Sequence, residues 1–169
     1  TVVEKLDHAG GRATVWERDG FRFDLGPSWY LMPDVFDRFF HQLGTSAAEQ
    51  LDLRRLSPAY RIYFGPGEIV DVPSELEAAY ALFESLEPGG ADKLRRYLSE
   101  AEYQYRVAMD GFIYRDYTRL RDFFGRRMLA EGARLRVLTK LDAYVRGFFE
   151  SDRARKVLEY NMVFLGGSP

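Results

Sequence analysis

The sequence predicts a mixed α/β fold, of α+β character within its 169 residues, with short strands first and helices after. Three observations carry this. Runs of β-branched and aromatic residues, broken by Gly and Pro, fill the first part of the chain. Apolar residues recur at helical spacing after Pro33 and again from Ser74 onward. No long uncharged stretch interrupts this pattern, so no helix is expected to span a bilayer.

The elements follow in order. Val2-Val3 reads as the end of a strand that closes on Glu4. Ala13-Thr14-Val15-Trp16 and Phe21-Arg22-Phe23 read as two strands, joined through Arg18-Asp19-Gly20 as a hairpin. Pro33 suits a first helical residue, Val35, Phe36, Phe39, Phe40 and Leu43 form one helical stripe, and Gly44 ends it. Tyr60-Arg61-Ile62-Tyr63-Phe64 and Ile69-Val70-Asp71-Val72 flank Gly65-Pro66-Gly67, a second hairpin whose glycines serve the turn and not a phosphate. Ser74 and Glu77 have the spacing of a capping box for the next helix. Pro88-Gly89-Gly90 separates it from a longer helix reaching about Met109. Further helices are expected near 119–130, 138–149 and from Ser151 to about Phe164.

Composition excludes several kinds of chemistry. The chain has no Cys and two His, His8 and His41, with a formal net charge of -2. Thiolate catalysis, disulfides and Cys-ligated metals are therefore ruled out, a multi-His metal site is not expected, and the balance argues against nucleic-acid binding. Both histidines are expected at the surface, His8 in a loop and His41 on a helix. Charge is unevenly placed: residues 66–102 carry nine acids against three bases, and residues 112–147 nine bases against four acids. The basic stretch also holds Phe112, Ile113, Tyr114, Tyr117, Phe123 and Phe124. This reads as a solvated helix face, with a peripheral membrane surface as the alternative. Tyr114, Arg115, Asp116 and Tyr117 are expected to pair on a helix surface. Aromatic residues make up 15% of the chain, with 13 Phe and 11 Tyr, more than a small core needs. The absence of an initiator Met and a start within an apolar run lead us to expect an internal piece of a longer protein.

The chemistry-bearing segment is Val3 to Ala13. An acidic residue at a strand's end, here Glu4, is placed to bind the hydroxyls of a ribose. The adjacent Gly10 and Gly11 let backbone N–H groups approach a pyrophosphate, and Arg12 adds positive charge. A plain loop with a glycine pair would read the same way. Further on stands Phe21-Arg22-Phe23-Asp24-Leu25-Gly26-Pro27-Ser28-Trp29-Tyr30-Leu31-Met32-Pro33. Together with Glu4 and Gly10-Gly11-Arg12, this run resembles the bacterial phytoene-desaturase type of carotenoid oxidoreductase, within the flavoprotein superfamily that includes amine oxidases. The continuation Pro33-Asp34-Val35-Phe36 and the closing Phe164-Leu165-Gly166-Gly167-Ser168-Pro169 look like the same family.

The resemblance implies a partial Rossmann-type FAD-binding sheet in residues 1–72, followed by a mostly helical, membrane-facing substrate domain in residues 73–169. It implies FAD as cofactor, with Glu4 on the adenosine ribose and Gly10, Gly11 and Arg12 near the pyrophosphate. Gly26, Pro27 and Ser28 would form the loop passing the flavin. Asp24 is expected to bond local backbone N–H groups, and Trp29 and Tyr30 to pack. No catalytic residue is assigned. The implied activity is desaturation of an apolar carotenoid by a cytoplasmic protein peripheral to the inner face of the cell membrane. Two family features have no counterpart here: the opening strand with its Gly-x-Gly-x-x-Gly turn, and the C-terminal return to the flavin domain. The isolated chain is thus expected to hold FAD weakly or not at all, and an open sheet edge at Val2-Val3 to invite a second copy. Isomerase or ketolase activity of the same family, an amine oxidase relative and a non-catalytic module for an apolar ligand are the alternatives.

Overall fold

A computed structural model describes residues 3–26, 29–119, 132, 135–136 and 139–163. The chain divides into two compact units, Thr1–Arg54 and Arg55–Pro169. It is a mixture of helices and two small antiparallel sheets.

In the first unit, β1 (Val15–Arg18) and β2 (Phe21–Asp24) pair with Trp16 opposite Phe23 and Arg18 opposite Phe21. Asp19 (φ 51°) and Gly20 (φ 83°) are both left-handed, which matches the right-handed twist of the strands they join. Trp16, Phe21 and Phe23 stack along one face and remain largely exposed. Helix α1 (Pro33–Gln42) starts with Pro in its first turn. It ends with Gly44 N–H donating to His41 and Thr45 N–H to Phe40, the paired bonds of a Schellman motif. His41 lies exposed on this helix. Ser46 caps the short α2 (Ala47–Gln50) by accepting from Glu49 N–H. Ala47 is the one buried residue among the described residues of this unit. Val3 and Glu4, expected to finish a strand, carry no regular secondary structure, since no described strand pairs with them.

The second unit holds the core. Strands β3 (Tyr60–Gly65) and β4 (Glu68–Val72) form a hairpin with a bulge at Phe64, closed through Pro66 and a left-handed Gly67. Period-two alternation places Tyr60, Ile62, Val70 and Val72 on the packed face. Arg61 and Asp71 pair across the other face, a pairing that lowers the Asp71 carboxyl below its usual range. Sequence placed this hairpin with the cofactor part, in residues 1–72. It packs instead with the helices of the second unit, because Val72 shares one cluster with Phe83, Leu94, Val145, Phe149, Ala154 and Val157.

Helix α3 spans Leu76–Leu86, α4 Gly90–Gly111, α5 Leu141–Arg146 and α6 Asp152–Glu159, which continues as a 3-10 turn over Tyr160–Val163. The expected capping box does not form. The helix begins one residue late, with Glu75 at its cap position and no side-chain bond, while Arg55 holds the Ser74 carbonyl. Two carboxylates near the α3–α4 corner do the capping. Glu84 accepts from Gly89 and Ala91 N–H, each at 3.0 Å, which covers free donors at the start of α4. Glu87 is buried, at 8% exposure. It pairs with Lys93 and accepts from Glu150 N–H (3.0 Å) and Ser151 N–H (2.6 Å), tying the corner to the start of α6. Ser151, where the sequence placed the start of this helix, caps α6 by accepting from Ala154 N–H. Tyr144 donates to Glu100 at 3.0 Å, and burial with this bond pushes its hydroxyl pKa up to about 12. Tyr114 to Tyr117, expected on a helix surface, lie past the end of α4, where Gly111 and a turn stop the helix. The expected helix near 119–130, apart from Arg119, the part of the basic aromatic stretch that holds Phe123 and Phe124, and the closing Phe164–Pro169 run lie outside the described residues. Among the described residues, no helix is long and apolar enough to cross a membrane.

Candidate functional site

The site is built on the loop ahead of β1. Glu4 accepts from the N–H groups of Lys5 (2.7 Å) and Leu6 (3.1 Å), so its carboxylate turns back over its own backbone. Asp7 bonds His8 through Nδ1, and the other ring nitrogen, Nε2, lies 3.0 Å from Thr14 Oγ1. The His8 contact lowers the Asp7 carboxyl below its usual range. Asp7, His8 and Thr14 thus anchor the middle of the loop to the foot of the hairpin. His8 is a surface loop residue as expected, yet it also ties two segments. An adjacent Asp-His pair six residues before a Thr is too common a pattern to have signalled this.

Gly10 and Gly11 follow, with φ of 126° and 55°, and Ala13 N–H donates to the Gly10 carbonyl at 2.9 Å. The turn is tight: a Cβ on Gly10 would stand 2.6 Å from the Ala13 carbonyl oxygen. Gly10, Gly11 and Arg12 are exposed, so the outer side of the turn is open to a ligand.

Beyond β2, Leu25 N–H donates to the Thr14 carbonyl at 2.8 Å and carries the ladder one step past the Val15–Asp24 pair. That step seats Gly26 against the Gly-Gly-Arg turn. A Cβ on Gly26 would lie 2.4 Å from the Arg12 carbonyl oxygen and 2.9 Å from Ala13 Cα. Two motifs separated by a whole hairpin therefore meet backbone to backbone. Of the predicted cofactor residues, Gly10, Gly11, Arg12 and Gly26 come together, while the described hydrogen bonds of Glu4 go to its own neighbours. Pro27 and Ser28 lie outside the described residues. Asp24 sits at the end of the ladder with an exposed side chain. Its carboxylate makes no hydrogen bond to a described N–H, and the Leu25 N–H beside it is taken by the Thr14 carbonyl. Tyr30 packs on Phe36 with ring centroids 4.7 Å apart, in keeping with a packing role.

Among the described residues, no group of His, Asp and Glu could hold a metal ion.

Comparison with known proteins covers nearly the whole chain. The family of flavin-containing amine oxidoreductases matches residues 1–165. A carotenoid 3,4-desaturase of Haloarcula japonica is 42% identical over 170 aligned residues, covering 100% of this chain and 34% of that protein. A 4,4'-diapophytoene desaturase (4,4'-diaponeurosporene-forming) of Staphylococcus aureus is 30% identical over 169 residues, again 34% of its length. The chain thus spans about a third of the length of these relatives. With a match running from its first residue through the glycine turn, both hairpins and the helices, the chain belongs to the flavin-containing amine oxidoreductase family.

Proposed function

We propose that this chain is part of an FAD-dependent carotenoid desaturase. The observation that carries the reading is the seating of Gly26 on the Arg12–Ala13 backbone, which makes one cradle of the two loops that the resemblance assigns to the flavin. The 42% identity to a carotenoid desaturase over the whole chain supports it.

The residues present fit a dinucleotide. Gly10 and Gly26 leave no room for a Cβ on the inner side, while Gly11 and Arg12 are exposed on the outer side. In this reading Glu4 accepts from the ribose hydroxyls by exchanging its local N–H partners for them. The turn at Gly10 and Gly11 presents backbone N–H groups to the pyrophosphate, and Arg12 neutralises its charge. Gly26 holds the turn in place, and Pro27 and Ser28 are the residues that the resemblance assigns to the flavin loop. Bound FAD supplies a two-electron acceptor for removal of two hydrogens from adjacent carbons of the polyene, one as hydride and one as a proton, adding one double bond. The protein aligns the chain and excludes water.

The first unit would be an incomplete Rossmann-type sheet domain. The exposed Trp16, Phe21 and Phe23 support this, since an isolated two-stranded hairpin is marginal in water. An unpaired edge of that incomplete sheet, expected beside Val2-Val3, would be the route to a homo-oligomer. The second unit would face the substrate. Because a carotenoid dissolves in a bilayer, the enzyme would work in the cytoplasm at the inner face of the cell membrane.

The test is to express the full-length protein that contains this chain and supply phytoene in liposomes, following products by chromatography and absorbance. New conjugated double bonds, seen as a stepwise red shift, are expected. Geometric isomers without added double bonds, or oxygenated products, would replace the desaturase reading with the isomerase or the ketolase.

A further inference from the structure

We infer that His8 and Thr14 are positioning residues for the adenosine end of the dinucleotide, an inference that rests on the FAD site proposed above and deepens it. His8 Nδ1 faces the Asp7 carboxylate, which only accepts, so Nδ1 carries the ring proton. In the neutral ring Nε2 is then an acceptor, and the Thr14 hydroxyl, 3.0 Å away, donates to it. Thr14 is half-buried at the foot of the hairpin, and its carbonyl accepts from Leu25 N–H, the bond that seats Gly26. One residue thus holds the loop by its side chain and the Gly26 step by its backbone.

The loop needs such a tie. Residues 4–9 form no helix or strand, and the Glu4 carboxylate holds only Lys5 and Leu6 N–H, within the loop itself. Among the described residues, the His8–Thr14 bond is the one hydrogen bond that joins residues 4–9 to the hairpin. Glu4 and the Gly10-Gly11 turn lie on either side of His8, so the tie sets the spacing between the ribose acceptor and the pyrophosphate turn. Its weight grows when the ligand binds. Once Glu4 exchanges its local N–H partners for the ribose hydroxyls, the loop loses those internal bonds and keeps His8–Thr14. An untied loop would have to be ordered by the ligand, at a cost in affinity. The tie therefore favours the bound state over the free one, which separates positioning from a general contribution to stability.

The experiment uses the full-length flavoprotein. Thr14→Val deletes the hydroxyl and keeps the β-branched shape, while Thr14→Ser keeps the hydroxyl. His8→Ala breaks the tie from its exposed end, and decides the question if Thr14→Val disturbs the strand. FAD affinity is measured by ultrafiltration and flavin absorbance, ADP affinity by competition with FAD, and melting at saturating FAD. Thr14→Val and His8→Ala should each weaken FAD and ADP binding by about 5- to 10-fold, the worth of one hydrogen bond. The double variant should bind no more weakly than either single one, and Thr14→Ser should bind as the wild type does. At saturating FAD, the desaturation rate and the KM for phytoene should return to wild-type values.

Unchanged FAD affinity in both single variants would overturn the inference. Additive losses in the double variant, or a loss for FAD without one for ADP, would overturn it too. A lowered melting midpoint with both affinities intact would leave the tie a structural role alone, against the inference. Glu4→Gln tests the ribose assignment separately: if ADP affinity survives that substitution, the assignment fails, while the double variant still decides whether the tie positions the glycine turn. If the wild type binds FAD but adds no double bonds, the desaturase reading fails and the affinity measurements keep their meaning.

Discussion

Gly11 and Gly26 separate two roles that one glycine-rich site can combine. A Cβ on Gly26 would sit 2.4 Å from a backbone oxygen, so Gly26→Ala must push the Gly-Gly-Arg turn out of place. We expect it to lower the stability of the full-length protein by about 1–3 kcal/mol and to weaken FAD binding, read by thermal melting and flavin titration. Gly11 has nothing within 4 Å of its Cβ position, but its φ is +55°. Gly11→Ala should therefore cost only the backbone strain, about 1–2 kcal/mol, while weakening FAD binding because its Cβ stands where the pyrophosphate would approach. Retention of full flavin affinity by Gly11→Ala would remove that residue from the proposed site. At this scale the sequence was informative about residue types and silent about contacts. Gly10, Gly11, Arg12 and Gly26 could be picked out by number, but their meeting depends on the Leu25–Thr14 bond that closes the hairpin foot, which only the folded strands bring together.

Among the elements, the α3–α4 corner is where local signals and tertiary structure part company. Ser74 and Glu77 have capping-box spacing, yet Arg55 claims the Ser74 carbonyl, and the caps that form come from Glu84 and Glu87. A carboxylate capping a helix start 63 residues downstream, as Glu87 does at Glu150, has no local sequence signature. Burial pushes the Glu87 carboxyl up, but the Lys93 ammonium and the Ser151 and Glu150 N–H groups outweigh it and hold it below the usual range. Its stabilisation is therefore complete above the ordinary glutamate value and lost as pH falls below about 4. Glu87→Gln should destabilise the protein by roughly 3 kcal/mol at neutral pH, and by less in acid, where the wild type has lost the same interaction. Urea unfolding of both proteins between neutral pH and the acid limit measures this convergence. Glu159, at the far end of α6, has the opposite sign: burial and then Asp142 raise its carboxyl, so its ionisation on raising the pH opposes folding. The comparison with Glu87→Gln isolates the first effect from the second. The hairpins and most helix boundaries were legible because Gly, Pro and apolar periodicity act locally.

For the molecule as a whole, the division between Arg54 and Arg55 sorts the chain by what it buries. The second unit encloses a core around Val145, Phe149, Ala154 and Val157, whereas in the first unit only Ala47 is buried among the described residues. A sheet domain that exposes Trp16, Phe21 and Phe23 has too little packed surface to hold a dinucleotide firmly. The purified 169-residue chain is accordingly expected to lack flavin absorbance near 1:1 stoichiometry, and the full-length protein to show it. Stoichiometric FAD on the short chain would mean that the loops from Glu4 to Ser28 suffice alone. The aromatic excess also divides by unit: part packs as Phe83, Tyr97, Tyr144, Phe148 and Phe149 around the core, and part lies open on the β1–β2 hairpin.

Glu87 carries one more consequence for this cysteine-free chain. By joining the α3–α4 corner to the head of α6, it closes a loop much as a disulfide would, but with a proton-sensitive clasp in place of a covalent one. Such a clasp is indifferent to thiols and oxidants and yields to acid, so reductants should leave this tie intact while low pH loosens it.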